Sequence, residues 1–167
     1  MQHRIEHTAY GIGTHDCVVT RMELTGDETE TLTFHFPEGI ICAADNPENP
    51  YGYAVKTGAA NMIFEELIPD SEDIEVIILK KRKWTKSLRK ETWQQITFQE
   101  LMELINTGKA TLELISTLSE GNFMRLECWL KYAKNRLPGQ FLDCCICLMS
   151  KRVFYEWNDP QHPQPYS

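Results

Sequence analysis

An α+β fold built mainly from antiparallel strands is the class this sequence predicts, and three observations predict it. Apolar residues recur at every second position through most of the chain, the signature of half-buried strands. One stretch alone, about residues 97–107, carries the three-to-four-residue apolar spacing of a helix. Clusters of glycine, proline, asparagine and aspartate punctuate the strand-like runs at hairpin intervals. The expected architecture is about eight strands in a curved sheet or a two-sheet sandwich, with the helix at one end.

Residues Thr14–Thr25 put Val18, Thr20, Met22 and Leu24 on one side. Leu32, Phe34 and Phe36 then alternate with Thr31, Thr33 and His35, so the polar Gly26-Asp27-Glu28 connection joins an antiparallel hairpin with one buried face. Pro37-Glu38-Gly39 turns into a short strand at Ile40–Cys42, and the prolines and asparagines of Ala43–Gly52 make a surface loop. Asn61–Ile68 and Asp73–Leu79, separated by Pro69-Asp70-Ser71, form a second expected hairpin. A basic segment, Lys80–Lys90, reads as a solvated connector between the strand-rich residues 10–79 and the second half, 97–157.

Thr97 and Glu100 match a capping box in front of the apolar stripe Leu101, Leu104 and Ile105, which predicts a helix over about Phe98–Asn106 with Gly108 as its left-handed stop. Thr111–Leu118, Phe123–Tyr132, Phe141–Met149 and Val153–Trp157 read as a meander, its last two strands joined by a tight Ser150–Arg152 connection. Residues 1–159 form one domain, and the proline-rich 160–167 is a frayed tail. No apolar run approaches the roughly 18 residues of a membrane helix. Met1–Tyr10 mixes His, Arg and Glu where a signal peptide is apolar, so a cytoplasmic protein with reduced thiols is expected.

The net charge of −7 is unevenly spread. Met1–Leu79 holds fifteen acidic and three basic residues, whereas Lys80–Lys90 holds seven basic and no acidic ones. Charge of this kind governs partners and association rates rather than fold. Glu23, Asp27, Glu28, Glu30, Glu38, Asp45 and Glu48 crowd one hairpin and its following loop, and Tyr51, Tyr53 and Trp84 supply aromatic anchors beside them. The partner-binding set read from the sequence is therefore Asp27, Glu28, Glu30, Glu38, Asp45, Tyr51, Tyr53 and Trp84.

Catalytic and metal motifs are weaker. Cys144 and Cys147 have CxxC spacing, yet strand alternation puts Cys144 on the face opposite Cys145 and Cys147, and no second ligand pair completes a zinc site. On a strand, His15 and Cys17 share a face while Asp16 points away, so the trio makes no local relay. Gly11-Ile12-Gly13 precedes a strand where a nucleotide loop needs a helix, and Glu65-Glu66 alternate across a strand. No catalytic residue, metal or cofactor is assigned.

The function that fits is a non-enzymatic protein-binding module, an inhibitor or antidote for a basic protein. In general character, rather than in any motif, the chain resembles the small acidic immunity proteins of bacterial toxin systems. The alternative is a small enzymatic or ligand-binding barrel using His15, His35 or Cys17. Third is single-stranded nucleic-acid binding through the Lys80–Lys90 segment, with Trp84 in it and Trp93 just beyond, which the acidic remainder of the chain opposes.

Overall fold

The computed structural model describes residues 1–7, 11–68, 74–85, 88–133 and 141–166, with 80–92 described by backbone alone. It is mostly antiparallel β with one short helix. The strands are β1 (His3–Glu6), β2 (Ile12–Gly13), β3 (Cys17–Val19), β4 (Arg21–Thr25), β5 (Thr31–Phe36), β6 (Ile41–Cys42), β7 (Val55–Lys56), β8 (Ala60–Leu67), β9 (Glu75–Thr85), β10 (Leu88–Ile96), β11 (Ala110–Glu120), β12 (Phe123–Tyr132) and β13 (Leu142–Trp157), with α1 (Phe98–Asn106) between β10 and β11. One large sheet runs β3-β11-β12-β13-β8-β5-β4, with β1 and β9 also on β13 and β10 on β9; β2, β6 and β7 make a small second sheet. Only Thr20 separates β3 from β4, so one stretch of chain carries both ends of the large sheet. The sheet is curled but not closed.

Strand β13 organises this curl. Its first half lies between β12 and β9, and its second half between β8 and β1. The inward residues are Cys144, Ile146, Leu148 and Ser150, then Val153, Tyr155 and Trp157, so the alternation slips phase at Lys151-Arg152. Buried Ser150 holds the bend, its Oγ lying 2.8 Å from Glu65 O and 2.7 Å from Arg152 O. A phase slip of this kind looks like a chain break to a period-two reading, and the expected Ser150–Arg152 connection is instead the middle of one continuous strand.

The second expected hairpin is also replaced. β8 and β9 do not pair with each other; each pairs with a different half of β13, and residues 69–73 lie outside the described chain. The supposed connector is no connector, because backbone pairing of Leu79 with Trp93 through Thr85 with Leu88 makes β9 and β10 a long hairpin. Thr14–Thr25 is two strands at the sheet's two ends rather than one. The tail does not fray throughout, since Pro165 bridges Val55 and Tyr166 N–H donates to Ala54 O at 2.8 Å.

Other expectations hold. β4 and β5 pair from Arg21–His35 to Thr25–Thr31 around the Gly26 turn. Gly26 has φ 109°, and a Cβ there would lie 2.0 Å from Thr29 O, so the turn requires glycine. The capping box forms as read: Glu100 N–H donates to Thr97 Oγ1 at 3.1 Å, and Thr97 N–H to Glu100 Oε2 at 2.8 Å. Gly108 takes φ 67° just past the helix. Phe98, Leu101, Met102 and Ile105 of α1 join Met22, Phe34, Phe64, Leu112, Leu126, Ile146, Tyr155 and Trp157 in one buried cluster. The helix therefore plugs the curled sheet near β4, β9 and β11.

Candidate functional site

The β4–β5 turn brings Asp27, Glu28 and Glu30 to one end of the sheet. Asp27 and Glu28 are exposed and Glu30 half-buried. Against this tip lies the end of β8, where Glu66 adopts a left-handed backbone with φ 55° and pairs with Lys151 at 2.6 Å. Asp27, Glu28, Glu30 and Glu66, with Leu67, Ile68 and Lys151, enclose a shallow hollow of about 280 Å³. Four carboxylates against Lys151 and Arg152 leave this end of the sheet with a net negative field. Lys151 and Arg152, at 3.2 Å, together hold the Glu66 carboxyl below its ordinary range, the hydrogen bond from Lys151 being the larger cause.

The other members of the sequence-derived set lie elsewhere. Six-residue β5 separates Glu30 from Glu38, a distance of about 20 Å at the usual rise per residue. Glu38 faces Lys56 at 3.5 Å, and Glu48 faces His3 at 3.2 Å. Asp45 is exposed on the loop beside Gly11. Tyr51 and Tyr53 stack at 6.0 Å between centroids and pack against the core, which makes them loop supports. Trp84 lies in β9 among the residues described by backbone alone, so its ring, and the side chains of Lys81, Arg82 and Lys83, are outside the described residues. Adjacency in sequence had merged two ends of one strand into a single patch.

The cysteines and histidines point in different directions. Asp16 has φ 59° in a turn, with His15 Nδ1 2.9 Å from Asp16 Oδ1, so the segment read as a strand is a turn and the two side chains do meet. Cys17 is 1% exposed and faces the core, where burial pushes its thiol up to about 11. His35 sits on the outer face, its Nε2 3.0 Å from Glu23 Oε2 and its Nδ1 2.8 Å from Asn61 Oδ1. That row arises from register, because Arg21 pairs with His35 and His35 with Asn61 across β4, β5 and β8. Neither a hydroxyl nor a thiol completes a relay at His35 among its hydrogen-bond partners.

A different surface went unread in the sequence. The outer face of β9–β13 carries Trp93, which is 63% exposed, Leu79 and the stacked pair Trp129 and Phe141 with centroids 4.2 Å apart. Leu79, Trp93 and Trp129, together with Ile115, Arg125, Glu127, Asp143 and Cys145, shape a hollow of about 370 Å³. Here too Cys145 Sγ and Cys147 Sγ lie 3.8 Å apart, whereas Cys144 is buried on the opposite face. The CxxC pair is thus split as expected, and the CxC spacing of Cys145 and Cys147 is the sequence signal that could have found the neighbouring thiols. Among the described residues, no group of three or more His, Cys, Asp or Glu side chains could hold a metal ion. Nor is any described helix long and apolar enough to cross a membrane.

Comparison of the chain with protein-family models, with curated proteins and with solved structures finds no match.

Proposed function

We propose that this chain is a non-enzymatic protein-binding module that neutralises a basic protein partner, with the β4–β5 tip as its docking end. The observation that carries the reading is the placement of Glu66, distant in sequence, beside Asp27, Glu28 and Glu30 around one shallow hollow. Carboxylates gathered at an exposed tip raise the encounter rate with a cationic surface and fix its orientation. Glu38, Asp45 and Glu48, at the far end of the sheet, belong to the overall negative field rather than to this contact. The His15, His35 and Cys17 side chains that an enzymatic reading would use lie on different faces, which favours binding over catalysis. All six cysteines are free, the state a reducing cytoplasm maintains, and we place the protein there.

The test is affinity capture from lysate of the source organism at low and moderate salt, with Asp27→Lys, Glu28→Lys, Glu30→Lys as a triple variant beside the unaltered protein. A single basic protein, held at low salt, released by moderate salt and lost from the variant, is the expected result. Association with that purified partner should slow tenfold or more on charge reversal, the scale of electrostatic steering. No capture, or equal capture by both proteins, removes the reading.

A further inference from the structure

Cys145 and Cys147 are two residues apart on β13, so both side chains leave the same outer face. Their Cα atoms are about 6.6 Å apart at the usual strand rise, near the far limit of the roughly 4.4–6.8 Å that a disulfide spans. Direct oxidation to a disulfide would have to bend a strand held by β12 on one side and β9 on the other. Bridging by an ion asks for no such movement. With metal–sulfur bonds of about 2.3 Å, sulfurs 3.8 Å apart subtend about 110° at the ion, between tetrahedral and trigonal coordination.

We propose that Cys145 and Cys147 form a two-thiolate site for a soft, thiophilic ion of the Cu(I) class, with its remaining coordination open to solvent. Soft sulfur ligands select Cu(I) over the hard cations that need oxygen. A structural zinc site needs four protein ligands, and the described residues offer no cluster of three. Cys145 lies in the hollow walled by Trp93, Trp129 and Leu79, whose apolar surfaces limit competition from water. Arg125, paired with Cys147 across β12 and β13, faces the negative charge that two thiolates would bring.

Binding breaks two S–H bonds and forms two S–Cu bonds. Both protons pass to solvent, copper stays at +1, and the ion with its two thiolates carries a net −1.

The experiment presents Cu(I) to the full chain as its bicinchoninate complex, without oxygen and under reducing conditions. The protein should withdraw one equivalent, and Cys145→Ser and Cys147→Ser should each weaken that withdrawal by tenfold or more. In the unaltered protein, bound Cu(I) should protect both thiols from iodoacetamide, as read by tandem mass spectrometry; this footprint decides the matter should either variant fail to fold. Failure to compete with bicinchoninate, undiminished competition by both variants, or alkylation of both thiols unchanged by Cu(I) overturns the proposal.

Discussion

Lys151 and Glu66 face each other across β13 and β8, 2.6 Å apart, at the point where both strands change phase. Glu66 reaches this position with φ 55°, a conformation that costs a residue bearing a Cβ about 1–2 kcal/mol. The strain is offset by the bend it permits, which turns the second half of β13 onto β8 and β1.

Glycine at this position removes the strain and adds backbone freedom of about 0.5–1 kcal/mol in the unfolded chain, so Glu66→Gly should be close to neutral. Glu66→Val should destabilise by about 2 kcal/mol, because a β-branched residue tolerates the left-handed region worst. Urea denaturation of the two variants checks this, and equal stabilities would mean that the bend is set elsewhere. The carboxyl pKa is depressed below 4.5 in the folded chain. Its contribution is therefore present at neutral pH and lost as pH falls through the folded value. The stability gap between the unaltered protein and Glu66→Gln should accordingly narrow below about pH 4.5.

Asn106, the last residue of α1, clamps the edge strand β4. Its Nδ2 donates to Met22 O at 2.8 Å, and Met22 N–H donates to Asn106 Oδ1 at 2.8 Å. A side-chain amide thus substitutes for the neighbouring strand that an edge lacks. Asn106→Leu leaves both backbone groups of Met22 without these partners and should cost about 1–3 kcal/mol. For a chain of this size that is a fall of several degrees in Tm by thermal circular dichroism. An unchanged Tm would mean that water replaces both bonds without loss.

These features mark how far the sequence could be read. The Thr97–Glu100 capping box and the Gly26 turn are local, each decided within four residues, and both form as the sequence predicts. The pairing of β8 and β9 with opposite halves of β13 depends on partners 66 to 97 residues apart. Local alternation cannot choose between a hairpin neighbour and such a distant strand. Lys80–Lys90 reads as a connector because charge outweighs β-pattern, although Leu79 and Trp93 pair within a hairpin ladder that runs on to Thr85 and Leu88 with one register shift between Leu88 and Arg89. Likewise, the acidic cluster was visible as composition, but only the strand between Glu30 and Glu38 reveals that it has two ends.

His7 couples the amino-terminal strand to the core through its Nδ1, 2.9 Å from the hydroxyl of buried Tyr155. Burial lowers the His7 pKa from its ordinary 6.5, so the folded chain binds this proton less readily than the unfolded one. Stability should fall as pH drops through 6.5 and level off below the folded value. A single proton limits the slope to about 1.4 kcal/mol per pH unit. His7→Gln keeps a hydrogen-bonding group without titration, and its stability should be flatter between pH 7 and pH 5. Parallel curves for the two proteins would assign the acid sensitivity to another group.

Thiol chemistry should separate the six cysteines into two classes. Cys17 and Cys42 are 1% exposed, and Cys128 and Cys144 3%. Burial pushes Cys17 and Cys42 up to about 11, Cys144 to about 12 and Cys128 well above its ordinary value. Reaction at these four requires both an opening of the sheet and loss of a proton from a disfavoured thiol. Cys145 and Cys147 are half-buried on the outer face and need no opening. Iodoacetamide at pH 8.5 should therefore modify Cys145 and Cys147 first and leave the other four until urea is added. Early adducts at Cys128 or Cys144, which face each other across β12 and β13, would show instead that this pair of strands separates in the native protein. That outcome would locate the weakest part of the sheet beside the strand on which the whole curl depends.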